Sequence, residues 1–183
     1  MLREYVKVSK IIYSEVMVDL RKRGLLNMLT PNEAAELIQD YLDKEDWNYE
    51  FNMDGDVPKI VMGLNLKSKL QSTKIYIFFN STGYSVYSVV TSIKATDDEA
   101  KVACAEYLAR ANYGLTLGNF EFDCDDGEVR YKVHMPYCND LPEEVIERSI
   151  LIPPSMLDKY GNGLVALMMG FSNPKDEITK AES

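Results

Sequence analysis

The sequence predicts an α+β fold in which an antiparallel sheet of hairpins is flanked by helices. Three observations support this fold class: helix-start signals at Thr30 and Thr96, strand-like runs that come in pairs, and short turns joining each pair. Strands joined by short turns pair antiparallel, whereas parallel strands need a long crossover, usually a helix. The predicted order is therefore α-α-β-β-β-β-α-β-β-α, which differs from a doubly wound α/β domain.

The first predicted helix covers residues 2–23 and ends before Gly24. Its apolar residues spread around much of the helix circumference, so we expect most of the helix surface to be packed against other protein surfaces. Charged residues interrupt this segment, which argues against a signal peptide. We divide the chain into an N-terminal helical extension (1–29), an α+β domain (30–171) and a polar, frayed tail (172–183).

The next two helices are indicated by capping boxes, in which a threonine side chain and a glutamate three residues later satisfy free backbone N–H groups. The segment Thr30-Pro31-Asn32-Glu33 begins an amphipathic helix that extends to Asp43. The pair Thr96-x-x-Glu99 begins another helix, which is predicted to end at Asn112-Tyr113-Gly114.

The first two hairpins lie between these helices. Trp47–Met53 and Val57–Leu66 meet at Asp54-Gly55, a strong turn signal that would place Glu50 opposite Lys59. A second pair of strands, 73–79 and 84–93, flanks the turn residues 80–83.

The third predicted hairpin joins Asn119–Cys124 to Glu128–His134 through a two-residue turn at Asp126-Gly127. This register separates charged pairs on one face from apolar pairs on the other. The pairs are Asp123 with Arg130, Glu121 with Lys132, Phe122 with Tyr131, and Phe120 with Val133.

The last helical region begins near Pro142. We expect Pro153-Pro154 to break it, because proline lacks a backbone N–H and clashes with the preceding turn. A second piece runs from Ser155 to Gly170, and Gly161-Asn162-Gly163 resembles a helix interruption.

The overall composition restricts the possible partners. The chain has 183 residues, 20 Lys+Arg and 29 Asp+Glu, for a net charge of −9. Nucleic-acid binding depends largely on Lys and Arg, so we expect no nucleic-acid partner. We also expect no membrane partner, because no stretch approaches the roughly 18 apolar residues needed to cross a bilayer.

The cysteines and the single histidine do not form a recognisable metal-binding motif. Cys104, Cys124 and Cys138 are far apart, and His134 is the one histidine, so a Cys/His zinc site lacks its usual ligands. Free thiols are typical of a reducing compartment, and we therefore expect a cytoplasmic protein without a cofactor.

No catalytic constellation emerges from the sequence. A Ser or Cys nucleophile usually needs a neighbouring base such as histidine, and we interpret His134 as a surface residue. The acidic clusters Asp54-Gly55-Asp56 and 123–128 coincide with turns, which explain their composition. We therefore predict a protein that is not an enzyme. The alternative is a metal- or carboxylate-dependent hydrolytic enzyme that uses one of these acidic clusters.

The clearest indication of function is an apolar surplus in the second hairpin. Residues 75–79 lack the polar alternation expected of a sheet with one solvated face, and residues 84–90 continue the pattern. One face would be covered by helices and the other by a protein partner, a second subunit or the chain's own N-terminal helix. The candidate partner-binding residues, or their neighbours on the alternate face, are Tyr76, Phe78, Tyr84 and Tyr87.

Several segments resemble the YbjN-like domain family. The signature hairpin is similar over Asn112-Tyr113-Gly114-Leu115 and Gly118-Asn119-Phe120-Glu121, followed by Asp126-Gly127-Glu128. The closing helices are similar over Glu144–Ile150 and Asp158–Gly163, and the likeness covers about residues 31–170.

This resemblance implies a type III secretion chaperone-like fold, whose members are commonly small, acidic, cytoplasmic and dimeric. They hold other proteins rather than catalyse reactions, and many YbjN-like proteins are labelled bacterial sensory transduction regulators. The expected function is thus a non-enzymatic protein-binding module, chaperone-like or regulatory, that forms a homodimer and binds an unidentified protein client. The family supplies no catalytic residues.

Overall fold

A computed structural model describes residues 28–183 and shows an α+β fold with a six-stranded antiparallel sheet, as predicted. The strand order across the sheet is β1-β2-β3-β4-β6-β5. The predicted helix over residues 2–23 lies outside the described residues. The elements are α1 (Pro31–Lys44), β1 (Glu50–Asp54), β2 (Val57–Asn65), β3 (Ser72–Phe79), β4 (Gly83–Val90), α2 (Asp98–Asn112), β5 (Asn119–Phe122), β6 (Val129–Pro136), α3 (Glu143–Met168) and α4 (Pro174–Glu182).

The helices α1, α2 and α3 pack against one face of the sheet. Ile38 of α1 belongs to a buried cluster with Ile60 and Ile77, which point to this face from β2 and β3. Tyr107 of α2 belongs to a second buried cluster with Tyr131 of β6. The long helix α3 contributes residues to both clusters, so it ties the two halves of the core together.

The first capping signal is confirmed, and the second is shifted by one residue. At α1, the Thr30 side chain accepts a hydrogen bond from the Glu33 N–H, while the Glu33 carboxylate accepts one from the Thr30 N–H. At α2, the N-cap is Asp97 rather than Thr96, with Asp97 Oδ1 2.8 Å from the Ala100 nitrogen. Aspartate is as good an N-cap as threonine, and here it lies one residue nearer to the helix.

The predicted register of the first hairpin is wrong by two residues. Glu50 lies opposite Val61 rather than Lys59, and the two-residue turn is Gly55-Asp56. Gly55 has a positive φ of 63°, a conformation that glycine adopts without steric cost, so the turn places it first. A shift of two residues leaves every side chain on its predicted face.

The second hairpin is confirmed. Phe79 lies opposite Tyr84, and Asn80 Oδ1 accepts hydrogen bonds from the N–H groups of Thr82 and Gly83. Strand β4 ends at Val90, three residues before its predicted end.

The third hairpin forms, but its predicted register is also wrong by two residues. Phe120 lies opposite Tyr131 and Glu121 opposite Arg130, because the loop is longer than two residues. Within the loop, the Asp123 and Asp126 carboxylates accept the backbone N–H groups of Asp125 and Glu128.

Gly127 explains why the loop takes this path. A Cβ at this position would lie 1.9 Å from the carbonyl oxygen of Ala95, so the loop backbone packs directly on the segment before α2. The Asp-Gly pair therefore serves a tertiary contact rather than a tight turn.

The predicted break at Pro153-Pro154 is wrong, since α3 continues through both prolines as a single helix of 26 residues. Both prolines are buried, and the helix places Ile150 in one core cluster and Leu157 in the other. We infer that packing along both clusters outweighs the lost hydrogen bonds.

Gly161-Asn162-Gly163 lies inside α3 and does not interrupt it. A Cβ at Gly161 would lie 2.6 Å from Ser68 Oγ, and one at Gly163 would lie 2.4 Å from the Tyr107 hydroxyl oxygen. These glycines therefore permit the close approach of the β2–β3 loop and of α2 to the helix.

The expectation that residues 172–183 are frayed is also wrong, because most of them form α4. Asn173 caps this helix through Oδ1, which lies 3.1 Å from the Asp176 nitrogen. Glu177 is buried and accepts a hydrogen bond from Ser172, while Ile178 packs against the core. A polar sequence thus forms a docked helix.

Candidate functional site

The face of the sheet opposite the helices, which we call the open face, carries the candidate site. Its residues are those that alternate with the buried core positions along each strand. The strand pairings align them in three rows: Asn52, Lys59, Phe78, Ser85 and His134; Glu50, Val61, Tyr76, Tyr87, Lys132 and Asn119; and Gly63, Lys74, Val89, Arg130 and Glu121.

Three aromatic rings form the centre of the open face. The Tyr76 and Phe78 rings are stacked, with centroids 6.0 Å apart and planes inclined by 14°. Tyr87 meets Phe78 edge to face, with centroids 5.8 Å apart. Phe78 is 40% exposed, and the two tyrosines are half-buried. The structure thus brings together three of the four residues singled out from the sequence.

The fourth residue, Tyr84, must be removed from the candidate site. It lies on the helix-covered face, its side chain is fully buried, and its hydroxyl oxygen lies 3.0 Å from Ser149 Oγ. Burial raises the pKa of Tyr84 to about 12. The unbroken run of apolar residues concealed which of them point outwards, and the register now separates the two sets.

Basic side chains surround the aromatic centre. Lys59 Nζ lies 5.3 Å from the ring centroid of Tyr76 and 5.1 Å from that of Phe78. Arg130 Cζ lies 4.8 Å from the ring centroid of Tyr87, and Lys132 Nζ lies 5.5 Å from the same centroid. Cations at these distances are attracted by the ring faces.

Carboxylates occur on the open face at its edge strands. Glu121 of β5 contacts two cations: Oε2 lies 2.7 Å from Arg130 Nε, and Oε1 lies 3.4 Å from Lys132 Nζ. Glu50 lies on β1 at the other edge. The four central strands place Lys59, Lys74, Arg130 and Lys132 on this face and no carboxylate.

The sequence contained a signal for these cations. Arg130 and Lys132 alternate with apolar residues along β6, as Lys59 does along β2. The predicted registers assigned them only as cross-strand partners of carboxylates. The alternation assigns these cations to one face, and the pairing of β2 with β3 and of β4 with β6 places them beside the aromatic rings.

A serine and the histidine also meet on the open face. Ser85 Oγ lies 3.0 Å from His134 Nδ1, and burial together with Lys132 lowers the pKa of His134. No carboxylate hydrogen-bonds to His134 among residues 28–183. Both residues lie inside paired strands, where backbone N–H groups bond the neighbouring strand and are unsuited to stabilising an oxyanion.

The acidic loop 123–128 is engaged in local contacts. Lys94 Nζ pairs with the Asp126 carboxylate, and Lys101 Nζ donates to the Asp125 carbonyl. Within residues 28–183, no group of three or more His, Cys, Asp or Glu side chains is arranged to hold a metal ion.

A second concave region lies where the described chain begins. This groove, of about 800 Å³, is lined mainly by apolar residues that include Met28, Met135, Leu141 and Val145. Cys138, which is exposed, also lines it.

None of the helices in the described part of the chain is long and apolar enough to cross a membrane. In comparisons with known proteins, no family model matches the chain, and no curated protein matches it.

Proposed function

We propose that the protein is a non-enzymatic protein-binding module, chaperone-like or regulatory, which binds its client through the open face. The observation that carries this proposal is the aromatic centre formed by the exposed Phe78 and the half-buried Tyr76 and Tyr87. Aromatic residues and arginine are enriched at protein interfaces, where rigid rings supply contact area at a small entropic cost. Rows of side chains on a sheet give such a surface a fixed shape.

The resemblance to YbjN-like domains supports the same proposal. A type III secretion chaperone-like fold is an antiparallel sheet flanked by helices, which agrees with the architecture described above. Fold alone does not define function, so the resemblance adds weight only together with the open face. Cytoplasmic localisation is part of this proposal.

The homodimer is also part of this proposal. Two open faces brought together would place two surfaces rich in cations, each with Lys59, Arg130 and Lys132, against each other, and like charges at close range repel. We therefore assign the dimer contact to a surface other than the open face. Light scattering should give twice the chain mass of 20.8 kDa, and a mass of one chain would contradict the dimer.

Binding of an unfolded protein tests the proposed function directly. The probe is fluorescently labelled, reduced and carboxymethylated α-lactalbumin, which cannot refold, and the readout is fluorescence anisotropy with the full chain. We expect the wild type to bind and Phe78→Ser to lose most of the affinity.

Phe51→Ser is the matched control. Phe51 is 42% exposed, close to the 40% of Phe78, but its position in the register assigns it to the other face of the sheet. The control should bind like the wild type. Absence of binding by the wild type, or equal losses in both variants, would contradict the proposal.

A further inference from the structure

We propose that the open face recognises a client segment that is acidic as well as apolar. This inference rests on the proposed function and specifies the chemical class of the partner. Apolar groups of the client would contact the Phe78 and Tyr87 rings, and its carboxylates would pair with the cations beside them.

The distribution of charge over the chain supports this choice. The chain has 29 acidic and 20 basic side chains, yet the open face of its four central strands carries four permanent cations and no carboxylate. A patch of one charge sign favours a partner of the opposite sign and excludes partners of the same sign.

Glu121 shows how a carboxylate fits this surface. Its two oxygens contact Arg130 and Lys132, and both cations also lie near the Tyr87 ring. A client carboxylate that approached Tyr87 would meet the same two cations. We therefore assign Glu121 the role of an internal competitor, which occupies the cations when no client is bound.

Other occupants fit the observations less well. A second copy would bring the same cations together, which is unfavourable. A single-stranded nucleic acid could stack on the rings, but nucleic-acid affinity grows with the number of phosphates neutralised, and a chain of net charge −9 repels a polyanion. A short acidic segment carries fewer charges and supplies apolar groups for the rings.

Three labelled probes distinguish these partners. The first is a peptide of about ten residues that alternates Glu with Leu or Phe and spans about 33 Å when extended. The second is the same peptide with Lys in place of Glu, and the third is an oligothymidine of matching length. Each is titrated with the full chain by fluorescence anisotropy at low and at physiological salt.

We expect the acidic peptide to bind more tightly than the Lys peptide, and the difference in affinity should decrease as the salt concentration rises. Lys132→Gln should weaken binding of the acidic peptide by roughly two- to fivefold, in line with an exposed ion pair. Glu121→Gln should tighten it by roughly the same factor, because the competitor is removed.

Glu106→Gln is the matched control. Glu106 pairs with Arg110 at 2.7 Å on the surface of α2, away from the open face, so its loss should not change peptide binding. Circular dichroism and thermal unfolding confirm that each variant is folded.

The possible outcomes separate the two proposals. Equal binding of both peptides, weakened by Phe78→Ser, would overturn the acidic preference and leave the protein-binding function standing. Weaker binding in Glu121→Gln would overturn the competitor role. Tight binding of the oligothymidine without the acidic peptide would overturn the acidic-protein inference in favour of nucleic acid. Failure to bind both peptides and α-lactalbumin would contradict the proposed function itself.

Discussion

Tyr84 and Tyr87 lie three residues apart on β4 and on opposite faces of the sheet. The Tyr84 side chain is fully buried, and its hydroxyl oxygen lies 3.0 Å from Ser149 Oγ on α3. The Tyr87 ring lies on the open face against Phe78, Arg130 and Lys132. One strand thus anchors the long helix on one side and presents the proposed binding surface on the other.

This arrangement predicts different effects for the two tyrosines. Tyr84→Phe should cost about 1 kcal/mol in the free energy of unfolding, because Ser149 loses one of its hydrogen-bond partners, and it should leave binding of the α-lactalbumin probe unchanged. Tyr87→Ser should weaken binding of the same probe, because it removes one ring of the aromatic centre. Urea unfolding and anisotropy titrations measure both quantities, and a binding defect in Tyr84→Phe would contradict the assignment of faces.

The close contact between α3 and α2 gives a second prediction. Alanine usually stabilises a helix relative to glycine, but a Cβ at Gly163 would lie 2.4 Å from the Tyr107 hydroxyl oxygen. We expect Gly163→Ala to destabilise the protein by about 1–3 kcal/mol through overpacking. Gly63→Ala is the control, since the nearest atom to its Cβ would be 4.0 Å away. Equal urea midpoints for the two variants would show that α3 and α2 do not approach this closely.

His134 predicts a specific pH dependence of stability. Burial and the neighbouring Lys132 hold its pKa below the usual value of 6.5, so the unfolded chain binds a proton more readily than the folded one. Its contribution to stability is therefore complete above pH 6.5, falls as the pH is lowered, and is lost below the folded-state pKa.

Chemical unfolding of wild type and His134→Gln between pH 7.5 and 5 measures this effect. The variant should lose less stability than the wild type across this range. Parallel curves would show that His134 has the same pKa in the folded and unfolded chain.

The docked α4 predicts that the C-terminal residues contribute to stability. A chain that ends at Phe171 would expose the surface covered by Ile178 and remove the buried Glu177, at a cost of about 2 kcal/mol. Lys175→Ala, which changes an exposed residue of the same helix, should have little effect. An unchanged urea midpoint in the shortened chain would support the frayed tail expected from the sequence.

The sequence predicted the elements well where local signals decide them. The capping box at Thr30, the hairpin around Asn80 and the alternation of β6 depend on neighbouring residues, and all three are confirmed. Local signals also assigned the correct face to each side chain in the two shifted hairpins, because both registers moved by two residues.

Tertiary contacts explain where the predictions of the third hairpin and of the last two helices were wrong. The loop before β6 is shaped by Gly127 packing on Ala95, a contact that no local pattern contains. The prolines of α3 are tolerated because the helix packs along both core clusters. Helix α4 forms against α3, which directly precedes it, and against α2, which is distant in sequence.

The candidate site could be predicted only in part, because its composition also depends on tertiary contacts. An apolar surplus marked the second hairpin, but burial and exposure of its residues depend on which face the helices cover. Alternation along the strand already puts Tyr84 and Tyr87 on opposite faces, but which of the two is buried could be decided only once the helices were placed. The cations join the site from β2 and β6, so their role required the full strand order.

The most direct test of the central claim is to locate a bound client. A photo-crosslinking benzophenone amino acid replaces Phe78 in one variant and Phe51 in another, and each is irradiated with the α-lactalbumin probe. Both side chains are similarly exposed, but they lie on opposite faces of the sheet. We predict a crosslinked product from position 78 and little from position 51. Equal yields, or a product from position 51 alone, would contradict binding at the open face.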